Sequence, residues 1–141
     1  MSRQLWKKVL WVLAAMIAVP AALYVSAAAY FVLVPSAEDY AHRRPFDSTL
    51  WQAHSKDDDP EWPIRLRMVD DLIASKALDG LTRREVESLL GRGDETDKWK
   101  DWGLVYWLGP ERRGMFRIDS EWLVVQFGTE GRVAVYRLVG D

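Results

Sequence analysis

At 141 residues the chain suits one domain of ordinary size plus an additional segment. Its 19 Lys+Arg stand against 21 Asp+Glu, and a net charge of −2 excludes the basic surface by which proteins hold nucleic acid. The absence of cysteine excludes disulfide frameworks, thiolate metal sites, cysteine nucleophiles and a lipid-modified cysteine. With only two histidines, the usual acid–base chemistries are thinly supplied.

The chain opens on an unmistakable segment. Arg3, Lys7 and Lys8 are the only charged residues before Glu38, and all 21 acidic residues follow Val34. Val9–Val34 is an uncharged run of 26 residues. As a helix it spans ~39 Å, against ~30 Å of bilayer hydrocarbon. Residues 1–35 therefore read as a transmembrane anchor that puts residues 9–34 in the lipid bilayer. A cleaved signal peptide is the alternative, with Val25-Ser26-Ala27 or Ala27-Ala28-Ala29 as the cleavage site. The apolar run continues past both sites through Tyr30-Phe31-Val32-Leu33-Val34, which favours retention. Trp6, Trp11, Tyr30 and Phe31 lie near its ends, where interfacial aromatics belong. The bias of Arg3, Lys7 and Lys8 over Arg43 and Arg44 sets the N-terminus inside. In a bacterium this means a single-pass inner-membrane protein with its domain in the periplasm or outside the cell.

Residues 36–62 read as a tether, with Pro45, Pro60 and the run Asp57-Asp58-Asp59. The carboxylates near His54 lack the alternating spacing of a calcium loop, so they read as a solvated linker rather than a cation site. Phe46 and Trp51 are anomalous there, since large aromatics usually dock on something.

Residues 63–141 form the predicted folded unit. Ile64, Met68, Val69, Leu72, Ile73, Lys76 and Ala77 follow a helical stripe that Asp79-Gly80 closes. Thr82-Arg83-Arg84-Glu85 is a capping box, with Leu81 and Val86 as its hydrophobic staple. Val86, Leu89 and Leu90 make the buried stripe of this second helix, and Gly91 ends it. Then the period shortens to that of strands over Trp102–Leu108, Glu121–Phe127 and Arg132–Val139. Gly128-Thr129-Glu130-Gly131 joins the last two as a hairpin. The prediction is an α+β fold, two helices packed on one face of a three-stranded antiparallel sheet.

Alternation assigns Leu104, Tyr106, Leu108, Leu123, Val125, Phe127, Tyr136 and Leu138 to the helix-covered face. The opposite face, marked by Gln126 and Arg137, carries Val105, Trp107, Trp122, Val124, Val133 and Val135. That is too apolar for bare solvent. Either Phe46 and Trp51 fold back over it, or an envelope protein docks there with Trp107 and Trp122 as anchors. This face is the candidate partner surface.

No catalytic, cofactor or metal constellation emerges. His42 and His54 lie in the expected tether, and no nucleophile elbow, zinc motif or phosphate loop occurs. Asp70 and Asp71 diverge by ~100° on a helix, so they do not share a substrate and instead serve as caps or pair with an arginine. Arg92-Gly93-Asp94 spells an adhesion tripeptide but falls at a helix end, where chance explains it. The residues point to a non-enzymatic protein without a cofactor.

The stretch Leu78-Asp79-Gly80-Leu81-Thr82-Arg83-Arg84-Glu85-Val86, then Leu89-Leu90-Gly91 and three strands, resembles the SmpA/OmlA (BamE-like) domain of bacterial outer-membrane lipoproteins. Tyr106–Arg112 and Ile118–Leu123 are closer still to small bacterial envelope proteins of that fold. The resemblance covers residues 46–139 and implies a domain that binds other envelope proteins. The β-lactamase inhibitor protein is built on a similar unit, so an inhibitor or regulator of an envelope enzyme is the alternative. Those lipoproteins attach through an N-terminal cysteine, whereas this chain has an apolar segment instead.

Overall fold

The computed structural model describes residues 3–54, 59–112 and 118–141. Two compact units divide the chain, Met1–Glu38 and Asp39–Asp141. The first is nearly all of helix α1 (Arg3–His42), whose side chains from Val9 to Leu33 are exposed. Pro20 lies inside this helix without ending it. Helix α1 also outlasts the apolar run, reaching His42 where the tether was expected. Asp39 pairs with Arg43 one turn on, at 2.9 Å, which supports the last turn.

In the second unit the described part of the expected tether contributes to the core. Helix α2 (Ser48–Gln52) is short enough to need outside support. The Asp47 carboxylate caps it by accepting from the Leu50 N–H at 2.9 Å. Its polar side also finishes another helix, α4 (Arg83–Leu90): Ser48 Oγ donates to the Leu89 carbonyl at 2.6 Å and Gln52 Nε2 to that of Ser88 at 3.0 Å. Those are carbonyls a helix end leaves without intrahelical partners. The apolar side of α2 sends Trp51 to complete burial against Phe46 and Tyr106, ring centroids 5.8 and 6.4 Å away. Of the acidic run, Asp57 and Asp58 lie outside the described residues. Asp59 accepts from the Glu61 and Trp62 N–H groups, a local turn.

Helix α3 (Ile64–Ala74) buries Ile64, Leu66, Met68, Val69 and Leu72. It ends at Ala74 rather than at Ala77, because Lys76 takes a left-handed φ of +55° and turns Leu78 into the core. Helix α4 follows the expected pattern. The Thr82 N–H donates to Glu85 Oε2 at 2.7 Å, Thr82 Oγ1 accepts from the Glu85 N–H, and Val86 and Leu90 are fully buried.

Strands β1 (Leu104–Pro110), β2 (Ser120–Phe127) and β3 (Val133–Gly140) form an antiparallel sheet in the order β1-β2-β3. The helices cover the predicted face. Leu104, Tyr106, Leu108, Leu123 and Val125 are buried there, with Phe127, Tyr136 and Leu138 along the margin. Two register shifts interrupt the ladder, between Trp107 and Gly109 and at Ala134 beside the Gln126/Phe127 step.

Candidate interaction surface

The sheet face away from the helices has its own cover, and it is neither of those expected. Val105, Trp122 and Val124 are buried there beneath Trp99, Trp102 and Val139. Trp51 and Phe46 pack on the opposite, helix-covered face. Val139 is their neighbour on β3, and the two covering indoles come from the segment that precedes β1. Trp102, read from sequence as the first residue of a strand, belongs instead to the turn where its N–H donates to the Trp99 carbonyl at 2.9 Å. Trp99 takes φ +58°, a conformation that folds the segment back and presents its indole to the sheet.

Both ends of the cover are pinned. At its start, the Asp94 N–H donates to the Val105 carbonyl at 2.7 Å, and the Asp94 carboxylate accepts from the Trp107 N–H at 2.6 Å. The same carboxylate holds the Arg65 guanidinium at 2.9 Å. The Asp of the adhesion-like tripeptide is thus consumed inside the fold. At the other end, the Gly103 N–H donates to the Val125 carbonyl (3.0 Å) and to Gln126 Oε1 (3.1 Å). A Cβ on Gly103 would lie 2.6 Å from the Phe127 ring, so a side chain there would force the ring or this end of the cover to move. Lys98 pairs with Asp141, and the Arg137 guanidinium sits 5.0 Å from the centre of the Trp102 ring.

The six predicted surface residues therefore separate into three groups. Val105, Trp122 and Val124 are interior. Val133 packs on the helix side, because the register shift at Ala134 sets it opposite Phe127 rather than in line with Val135. Only Trp107, 36% exposed, and Val135, 45% exposed, face solvent. The missed signal was the Trp99–Trp102 pair bracketed by Gly93 and Gly103: aromatic residues between two close-approach glycines, immediately before a strand.

Two charged clusters lie on the helix side. Arg112 is 8% exposed and spends its whole guanidinium on three carboxylates. Glu121 takes Nε and NH2 at 3.0 and 2.7 Å, Asp70 takes NH1 and NH2 at 2.8 and 3.2 Å, and Asp39 takes NH1 at 3.0 Å. Burial by itself would lower the Arg112 pKa, but the hydrogen bonds to Glu121 and Asp70 outweigh it and hold the group charged. Arg43 adds a second cation at Asp70, 3.0 Å away. Asp71, its neighbour, points elsewhere and accepts from the Phe46 N–H at 2.8 Å, so the two carboxylates diverge as expected.

Arg65 anchors the other cluster, stacked 5.6 and 5.5 Å from the ring centres of Trp51 and Tyr106. Burial lowers its pKa against the pull of Asp94, and burial likewise pushes the Tyr106 phenol up. Burial first, then the nearby Arg65 charge, lowers the pKa of His54. The other histidine, His42, stacks flat on Trp62 at 4.2 Å. Among the described residues no group of three or more His, Asp or Glu side chains comes together to hold a metal. A shallow cleft of about 540 Å³ runs beside the cover, lined by Arg83, Glu87, Arg92, Glu95, Lys98 and Trp99, a mixed-charge wall with no convergent chemistry. In comparisons with known proteins, no family model, curated protein or solved structure matches this chain.

Proposed function

We propose that this chain is a single-pass membrane protein of the bacterial envelope, with its N-terminus inside and residues 39–141 displayed outside the cytoplasm as a non-enzymatic protein-interaction domain. The observation that carries the reading is α1, whose side chains from Val9 to Leu33 are all exposed although nearly all are apolar. In water such a surface is strongly unfavourable, while in hydrocarbon it is matched. Chemistry of the compact unit supports the non-enzymatic part. Its buried charged groups are spent on one another and on strand backbone, as Arg112 and Asp94 illustrate. The likeness of the capping-box helix and three strands to BamE-like domains supports a binding role, with Trp107 as the exposed aromatic for a partner.

The test is topological. A periplasmic reporter fused after Asp141 should be active, and the full chain should stay with membranes through a carbonate wash. Mature protein beginning near Ala28 and free in solution would refute the anchor and leave the signal-peptide reading. Crosslinking from native membranes then separates the two partner classes. A docking domain brings down membrane assembly machinery, whereas an inhibitor or regulator brings down one envelope enzyme.

A further inference from the structure

The two edges of the sheet are treated very differently. On β1, the Val105 carbonyl and the Trp107 N–H both turn outward, and Asp94 takes both, while Arg65 reaches the Trp107 carbonyl at 3.5 Å. That edge is closed. On β3, Leu81 and Thr82 lie along only the first residues: the Val133 N–H donates to the Leu81 carbonyl at 2.8 Å, and Thr82 bridges Arg132. Beyond them the edge is open. The Val125 carbonyl turns to β1, so Val125 and its β3 partner Tyr136 form a non-hydrogen-bonded pair, and by alternation so do Leu123 and Leu138. The backbone N–H and C=O of Tyr136 and Leu138 therefore point away from the sheet, and among the described residues nothing pairs with them. Ala134, Val135 and Arg137 are exposed along this stretch, which has no proline or lysine to block pairing.

We propose that this edge pairs with the same edge of a second copy, antiparallel and centred on Tyr136, so that two sheets join as one. With one open edge among the described residues, such a pair is self-limiting, because the two-fold contact uses up both edges. The sequence of β3 is complementary to itself in this register. Arg137, the one charge in Val133–Val139, lies opposite Val135 rather than opposite its own copy. Shifting by one hydrogen-bonded step toward the C-terminus would set Arg137 against Arg137, a destabilising like-charge pair. Shifting toward the N-terminus would run into Leu81 and Thr82. The pairing concerns β3 alone and holds whether α1 is an anchor or a leader.

The native chain has no cysteine, so single substitutions give a clean readout. Val135 and Arg137 would face each other as a non-hydrogen-bonded pair with Cα atoms ~4.5 Å apart, within disulfide reach. Full chain carrying Val135→Cys, mixed in mild detergent with full chain carrying Arg137→Cys, should oxidise to dimer several-fold more than either alone. Linking no greater than that of Arg84→Cys, exposed on α4, would overturn the proposal. So would Val135→Cys linking to a different membrane protein at the expense of the dimer. A charge exchange tests the register without cysteine. Val135→Arg should weaken the dimer roughly tenfold, since the symmetric contact carries the change twice, whereas Val135→Glu should strengthen it. Equal weakening by both, measured by sedimentation, would mean a merely apolar contact and would refute the pairing.

Discussion

If the Trp99–Trp102 segment covers the outer sheet face, the tryptophans of that region should differ sharply in their contribution to stability. Trp122 is 9% exposed and packs among Val105, Val124, Val139 and the covering indoles. Trp122→Ala removes a buried large aromatic and leaves a cavity that the rigid strand cannot close, a loss of ~3–5 kcal/mol. Trp107, its cross-strand partner, is 36% exposed and lies outside that cluster. Trp107→Ala should cost only ~1 kcal/mol, in the range of a cross-strand pair. Trp99→Ala should fall between them at ~2–3 kcal/mol, since its ring is partly buried but its loss uncovers Val105, Trp122 and Val124. Urea unfolding of the full chain in mild detergent, followed by far-ultraviolet circular dichroism, measures each as a shift in midpoint. Equal losses for Trp107→Ala and Trp122→Ala would refute the arrangement, because they would mean that both rings share one environment.

The core position of Trp51 predicts that Trp51→Ala costs ~3–5 kcal/mol, and a chain cut to begin at Pro60 should give no cooperative thermal transition. Arg112→Met leaves Glu121, Asp70 and Asp39 facing one another with Arg43 as the remaining cation, and should cost ~3 kcal/mol by urea midpoint; adding Glu121→Gln should recover part of it. Thr82→Ala should lower stability by ~1 kcal/mol through loss of the cap, while Val86→Asp should abolish cooperative unfolding. His54 is less readily protonated in the folded chain, so its contribution is complete above the unfolded value of ~6.5 and is lost as pH falls through the lowered folded value. Between about pH 7.5 and about pH 5 the parent should therefore lose more thermal stability than His54→Gln, and an equal loss would show that His54 is solvated.

Much of the fold was legible because its determinants are local. The capping box and Gly91 of α4 act within one turn, and both are realised where the pattern placed them. Strict alternation in β1 and β2 set the covered face correctly, since a strand that keeps register has no freedom to rotate a side chain to the other side. At the register break in β3 the pattern failed. The extra residue at Ala134 returns Val133 to the helix side, and nothing in Arg132–Val139 announces it. α3 likewise stopped early at Lys76, a residue with no turn signature of its own.

By itself, then, the sequence determined the apolar segment, the α+β class, the capped helix and the identity of the inner sheet face, because periodicity and capping depend on neighbours a few residues apart. Only the tertiary structure decided what lies on the other face. Trp51 of α2 meets Tyr106 of β1 only in the folded chain, and the carboxylates around Arg112 come from Asp39, Asp70 and Glu121 on three different elements. The cover built from Trp99 and Trp102 exists because Asp94 and Gly103 fasten its two ends to strands that form only when the chain folds. Such contacts are set by how chain reversals bring distant residues together, and no local pattern encodes that geometry.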